Sequence, residues 1–126
     1  MDSFDLYQLH SQIVATPPTD GSGNALTPEE ILGPGGVADV FDAMKRDGRI
    51  RHCGLTATGD TEAVLAVLNS GRFDTAQCYY NMLNPSCGWA QGAAPAGWSD
   101  EDQDFGGIFV SPSPYVLDSL FLPPDP

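Results

Sequence analysis

Apolar and polar residues mix along three runs of strand length, residues 4–9 (FDLYQL), 50–55 (IRHCGL) and 73–78 (FDTAQC). Each run carries a polar residue at or near its carboxyl end: His10, Thr56 and Gln77. Between the first two runs, Val37, Val40, Phe41 and Met44 recur at the spacing of one helix face, and the pattern stops at Asp47-Gly48. Residues 49–56 then read as a strand. Thr61 to Asn69 predicts a second helix, with Thr58 or Asp60 able to cap it and Ser70-Gly71 ending it. Ala63, Val64, Ala66, Val67 and Leu68 cover much of that helix, which suits close packing on a sheet. Phe73 to Cys78 gives the third strand. Strand-helix-strand crossovers are right-handed and make all three strands parallel. In a parallel barrel the carboxyl ends of the strands are where substrates and cofactors meet the protein.

Two segments break this alternation. Ser11 to Gly36 holds Pro17-Pro18, Gly21, Gly23, Pro28, Gly33, Pro34 and Gly35-Gly36, and reads as a loop with one short turn at Thr27-Pro28-Glu29-Glu30. Connections longer than about 15 residues are functional lids or unstructured segments, and here a mobile one is expected. After Asn84-Pro85 the pattern dissolves. Residues 90–97 are rich in Gly, Ala and Pro, Asp100 to Asp104 is an acidic run, and Ser-Pro-Ser-Pro precedes a short apolar patch from Tyr115 to Leu122. Residues 1–88 therefore form one unit, and 89–126 are expected to be an irregular, largely disordered Gly/Pro/acidic tail.

The motifs themselves resemble a known family. Asp5-Leu6-Tyr7-Gln8-Leu9-His10, Gly48-Arg49-Ile50-Arg51-His52-Cys53-Gly54-Leu55-Thr56 and Gln77-Cys78-Tyr79-Tyr80-Asn81 look like consecutive pieces of an aldo/keto reductase, in the family's order and spacing. The likeness covers roughly residues 1 to 88, with a weaker echo at Gln103-Asp104-Phe105-Gly106-Gly107-Ile108. It implies an α/β fold, part of a TIM (β/α)8 barrel, with about three parallel strands resembling the fourth to sixth and two intervening helices. A complete barrel takes about 250 residues, so 126 hold at most half of one.

The resemblance also implies a chemistry: oxidoreductase, with NADP(H) and a small carbonyl compound as partners. The family's catalytic tetrad is Asp, Tyr, Lys and His, and only the His has a counterpart here, His10. Its imidazole would help bind the substrate carbonyl by hydrogen bonding to its oxygen. Thr56 and Gln77 would hold the nicotinamide carboxamide. Gln77 matches the family; Thr56 keeps the hydroxyl of a Ser-Asn pair, and Ala57 replaces its Asn, removing a donor and an acceptor. Asn81 would line the substrate pocket or serve the strand end. His52 reads as structural, and Tyr7, Tyr79 and Tyr80 as packing residues. With three tetrad members lacking, the chain alone is expected to show little or no reductase activity.

Charge narrows the partners. Five Lys and Arg against 17 Asp and Glu give a net charge of −12, which excludes nucleic acid, since binding its phosphates needs clustered basic residues. Lys45 and Arg46 are placed to offset the negative pole of a helix carboxyl end. No apolar run approaches the roughly 20 residues of a membrane span, and the first ten residues lack the basic start of a secretory signal. Cys53, Cys78 and Cys87 form no CxxC pair, which suits reduced thiols in a cytoplasmic protein and no metal site. A different reading makes the chain a non-catalytic fragment or an interaction module that recruits a protein through its acidic, proline-rich tail. Three strands with two helices also leave open sheet edges, which invite self-association.

Overall fold

The computed structural model describes residues 3–19, 21, 23–79 and 115–119. The strands β1 (Phe4–Leu9), β4 (Ile50–Thr56), β5 (Thr75–Tyr79) and β6 (Tyr115–Ser119) form one sheet in the order β1-β4-β5-β6, and every neighbouring pair is parallel. Two very short strands, β2 (Gln12–Ile13) and β3 (Ala25–Leu26), pair with each other, also in parallel. Among the described residues three helices accompany the strands: α1 (Pro28–Leu32), α2 (Val37–Arg46) and α3 (Thr61–Leu68). The chain is an α/β protein built on a parallel sheet.

The sheet's alternation decides where the core lies. Cys53, Leu55 and Ala57 project from one side of β4 and are fully buried, as are Ala76 and Cys78 on β5. Val64, Val67 and Leu68 of α3, and Ala38 and Phe41 of α2, belong to the same cluster. Phe41 links two layers: its ring meets Tyr7 of β1 edge-on at 5.7 Å and Phe73 at 6.0 Å. Burying a side chain such as Leu55 contributes about 1.5–3 kcal/mol, which is why this row is entirely apolar.

Residues 11–36 carry more structure than their Pro and Gly content predicts. The capping box at Thr27 and Glu30 organises α1: the Glu30 amide donates to Thr27 Oγ1 at 3.2 Å and the Thr27 amide donates to Glu30 Oε2 at 2.8 Å. Ile31 of α1 and Ile13 of β2 are each 0 % exposed, so two large apolar side chains anchor the segment to the core. Backbone bonds finish the attachment. Ile13 N–H donates to the Thr58 carbonyl and Asp60 N–H donates to the Ile13 carbonyl, both at 2.8 Å. An expectation of a mobile loop meets, in its first and last thirds, a docked one; the cause is two isoleucines whose partners lie far away in sequence.

The same contact resolves the cap of α3. Asp60 is the N-cap residue but makes no side-chain capping bond. Its carboxylate instead accepts the Ala15 amide at 2.7 Å, so it ties the loop after β1 to the loop after β4. A second difference lies in the tail. The apolar patch noted at Tyr115 supplies a strand, and β6 pairs with β5 from Thr75↔Tyr115 to Tyr79↔Ser119. Residues 80–114, with the boundary expected near 88, lie outside the described residues. Among the described residues no helix is long and apolar enough to cross a membrane.

Gly59 sits where the two loops touch. Its φ is +113°, and a Cβ there would run into the Ile13 backbone. Gly59→Ala is expected to lower the unfolding free energy by about 2–3 kcal/mol in urea denaturation, because strained φ and steric collision act together.

Candidate functional site

Parallel pairing puts the ends of β1, β4 and β5 along one edge. Leu9 pairs with Leu55, and Leu55 pairs with Ala76. The residues one step further on are His10, Thr56 and Gln77, so the three positions singled out in the sequence fall in one row across neighbouring strands. Thr56 and Gln77 are themselves register partners, and the Ala57 amide donates to the Gln77 carbonyl at 2.7 Å. His10 is exposed, and its carbonyl accepts the side-chain amide of Asn24 at 3.2 Å. Asn24 also accepts the Ser11 hydroxyl at 3.0 Å, which fixes the turn that follows β1. Asn81, the fourth position, lies outside the described residues.

One layer below the row, the sequence reading missed two residues. Gln8 pairs with Gly54, and Gly54 pairs with Thr75, so Gln8 and Thr75 flank a residue without a side chain. A Cβ on Gly54 would collide with Thr75 Oγ1 and stand 3.2 Å from Gln8 Cγ. The glycine lets the two polar side chains close over β4. By alternation these residues belong with Thr56 and Gln77 to the sheet face opposite the Cys53-Leu55-Ala57 row. That face is polar. Gln8 Nε2, Thr56 Oγ1 and Thr75 Oγ1 are buried without a hydrogen-bond partner among the described residues. Such groups each cost about 1–3 kcal/mol, and natural structures keep few of them. The signal was present in the sequence: Gln8 is two residues before His10 and Thr75 two before Gln77, hence on the same face.

A separate charged cluster holds the other side of β4. Lys45 Nζ, at the end of α2, lies 2.6 Å from Asp74 Oδ2, and the Cys53 amide donates to the same oxygen at 2.8 Å. The exposed His52 contributes Nδ1 at 3.8 Å. Burial works to raise the Asp74 carboxyl, but the Lys45 and Cys53 hydrogen bonds outweigh it and the net shift is downward. For Lys45, burial works to lower the ammonium and the Asp74 and Cys53 bonds raise it overall. The Cys53 thiol is pushed up by burial, against the pull of Lys45. It donates to the Arg72 carbonyl at 3.4 Å and stays a protonated thiol, the opposite of a nucleophile's setting. Arg72 pairs with Asp39 at 2.9 Å and with Asp42, and both bonds raise its pKa. These ion pairs orient α2 and the start of β5; they face away from the polar row.

Cys53 and Cys78 are buried and in no disulfide among the described residues, while Cys87 lies outside the described residues. The described residues contain no group of three or more His, Cys, Asp or Glu able to hold a metal ion. Fold and site together define a parallel α/β sheet with a polar row at the carboxyl ends of its strands. No family model, no curated protein and no solved structure matches the chain.

Two measurements follow from this geometry. Thr75→Val keeps the shape and removes an unpartnered hydroxyl, so it is expected to leave stability unchanged or raise it by up to about 1 kcal/mol in urea denaturation. Asp74→Asn is expected to lower stability by about 1 kcal/mol at neutral pH, an amount already discounted for solvent screening. Because the folded carboxyl titrates below its ordinary value of 3.8, that contribution is complete above the ordinary value and is lost as pH falls through the lowered one. Denaturation curves of variant and wild type should therefore converge in acid.

Proposed function

We propose that the β1-β4-β5 sheet is the central part of a (β/α)8 barrel of the aldo/keto reductase type. On this reading its polar row receives the nicotinamide end of NADP(H) beside a small carbonyl compound. The observation that supports the reading is the register: the positions that the resemblance implies, His10, Thr56 and Gln77, stand side by side at the carboxyl ends of parallel strands. The polar face beneath them agrees with a barrel interior more than with a solvent-facing surface, because its unpartnered groups are buried.

The donor set fits a carboxamide. A carboxamide presents an NH2 donor and a carbonyl acceptor, and the Gln77 amide offers both complements, while the Thr56 hydroxyl lacks a partner among the described residues. The Ala57 amide takes no part, since it already donates to the Gln77 carbonyl. When bound, the reduced cofactor supplies hydride to the carbonyl carbon. His10 orients that carbonyl by hydrogen bonding to its oxygen, and its exposure leaves the imidazole free to reach a ligand arriving from solvent. His10 is the one tetrad position with a counterpart in these residues, so we infer a chain that binds without measurable turnover.

Titration of NADPH against the purified chain, followed by the cofactor's own fluorescence, tests the reading. Saturable binding is expected, weakened about tenfold or more by Gln77→Ala and unchanged by His10→Ala, since a lost hydrogen bond of about 1.4 kcal/mol corresponds to that factor. Absence of saturation at millimolar cofactor, or binding indifferent to Gln77→Ala, would overturn it.

A further inference from the structure

Three polar atoms on the face below the row have no use within the described chain. Gln8 Nε2, Thr56 Oγ1 and Thr75 Oγ1 are buried and lack a hydrogen-bond partner among the described residues. Their positions adjoin: Gln8 and Thr75 flank Gly54 on the neighbouring strands, and Thr56 follows Gly54 by two residues on the same face. Native structures keep few such atoms, and three in one patch mark a place where the partner comes from outside. Gly54 makes the grouping possible. The point its Cβ would take is met by Thr75 Oγ1 and stands 3.2 Å from Gln8 Cγ, so both side chains close over bare β4 backbone. As residues, Gln8, Thr56 and Thr75 are each partly exposed, so the layer is not sealed inside the core.

The atoms define the chemistry of that partner. A glutamine Nε2 only donates, so the group it meets carries an acceptor, and the two threonine hydroxyls can turn their hydrogens to the same atom. No ionisable side chain stands among Gln8, Gly54, Thr56, Thr75 and Gln77. Asp74, next to Thr75 in the chain, is committed to Lys45 and the Cys53 amide. A carboxylate or phosphate in this layer would be a buried charge without a countercharge, which is costly. A neutral carbonyl oxygen fits the donors without that cost.

We propose, resting on the cofactor reading above, that Gln8 and Thr75 belong to the same site and receive the carboxamide oxygen of the nicotinamide. Gln77 and Thr56 meet the carboxamide at the strand ends, and Gln8 Nε2 and Thr75 Oγ1 donate to its oxygen from the layer below. Two strand residues advance about 6–7 Å, and the long Gln8 side chain spans part of that step. Binding then gives all three buried atoms a partner at once. In the empty chain they are idle, which is why Thr75→Val leaves its stability unchanged; the same substitution removes a bond that forms only when cofactor is bound. Gln8 and Thr75 are thus specificity residues, favouring a ring that bears a carbonyl over cofactor fragments that lack one.

Calorimetric titration of the full chain with NADPH, and separately with 2′-phospho-ADP-ribose, which lacks the nicotinamide, tests this. Thr75→Val and Gln8→Leu are each expected to weaken NADPH about tenfold and to leave 2′-phospho-ADP-ribose unchanged, while Thr75→Ser, which keeps the hydroxyl, binds both as the wild type does. A merely structural role would move both ligands together. Equal weakening of the two ligands by Thr75→Val and Gln8→Leu would therefore overturn the inference. So would NADPH binding that is indifferent to both variants yet weakened by Gln77→Ala, an outcome that leaves the cofactor reading in place. Absence of NADPH binding by the unaltered chain would overturn the reading and the inference together.

Discussion

Everything described depends on β4 being held between two parallel neighbours. Parallel pairs join strands whose connections must cross over the sheet, so each neighbour of β4 arrives with a helix or a loop laid on one face. Cys53, Leu55 and Ala57 are fully buried by those crossovers, and their alternates are left to the opposite face. Gly54 completes the constraint from the other side. Without a Cβ it permits Gln8 and Thr75 to approach each other across the strand, and any larger residue would push β1 and β5 out of register.

The loops over the carboxyl edge are part of the same construction. Ile13 bridges Gly59 in parallel, so the pairing of β1 with β4 is taken up again after a short break. The turn that carries His10 and the turn that follows Thr56 are thus fixed relative to each other by backbone hydrogen bonds and by the Asp60 carboxylate. A row of side chains at strand ends is useful for recognition only if the intervening loops are held, and here one fully buried isoleucine does most of the holding. At the opposite end of the sheet the scarce basic residues are committed to structure: Lys45, Arg51 and Arg72 each pair with aspartate. Exposed pairs of this kind contribute about 0–1 kcal/mol each, so their effect is alignment of α2 and β5 more than stability. The acidic excess is left to set a repulsive field around the molecule.

Local periodicity made the main elements legible. The helix face of Val37, Val40, Phe41 and Met44 became α2, the segment from Thr61 became α3, and the three mixed runs became parallel strands. His10, Thr56 and Gln77 could be singled out because a strand end is a sequence position, and parallel pairing then aligns strand ends without further information. Gln8 and Thr75 were harder to see. A polar residue in mid-strand reads as ordinary alternation until its neighbours are known to be a glycine on the partner strand and a second polar group beyond it. The Asp74 cluster was invisible for a related reason: Lys45 looked like a helix-dipole residue, and its partner, just before β5, is brought to it only when β5 pairs with β4, on which α2 packs.

The chain itself determined the order of strands and helices, the apolar composition of one sheet face, and the polar positions at the strand ends, because each depends on residues close together in sequence. Tertiary structure decided the rest. It docked residues 11–14 and 28–32 through Ile13 and Ile31, turned Asp60 from a capping residue into a tie between loops, and added β6 beside β5 across a separation of about forty residues. Each of these outcomes is a contact between segments remote in sequence, and its free energy exists only once the parallel sheet has brought the partners together.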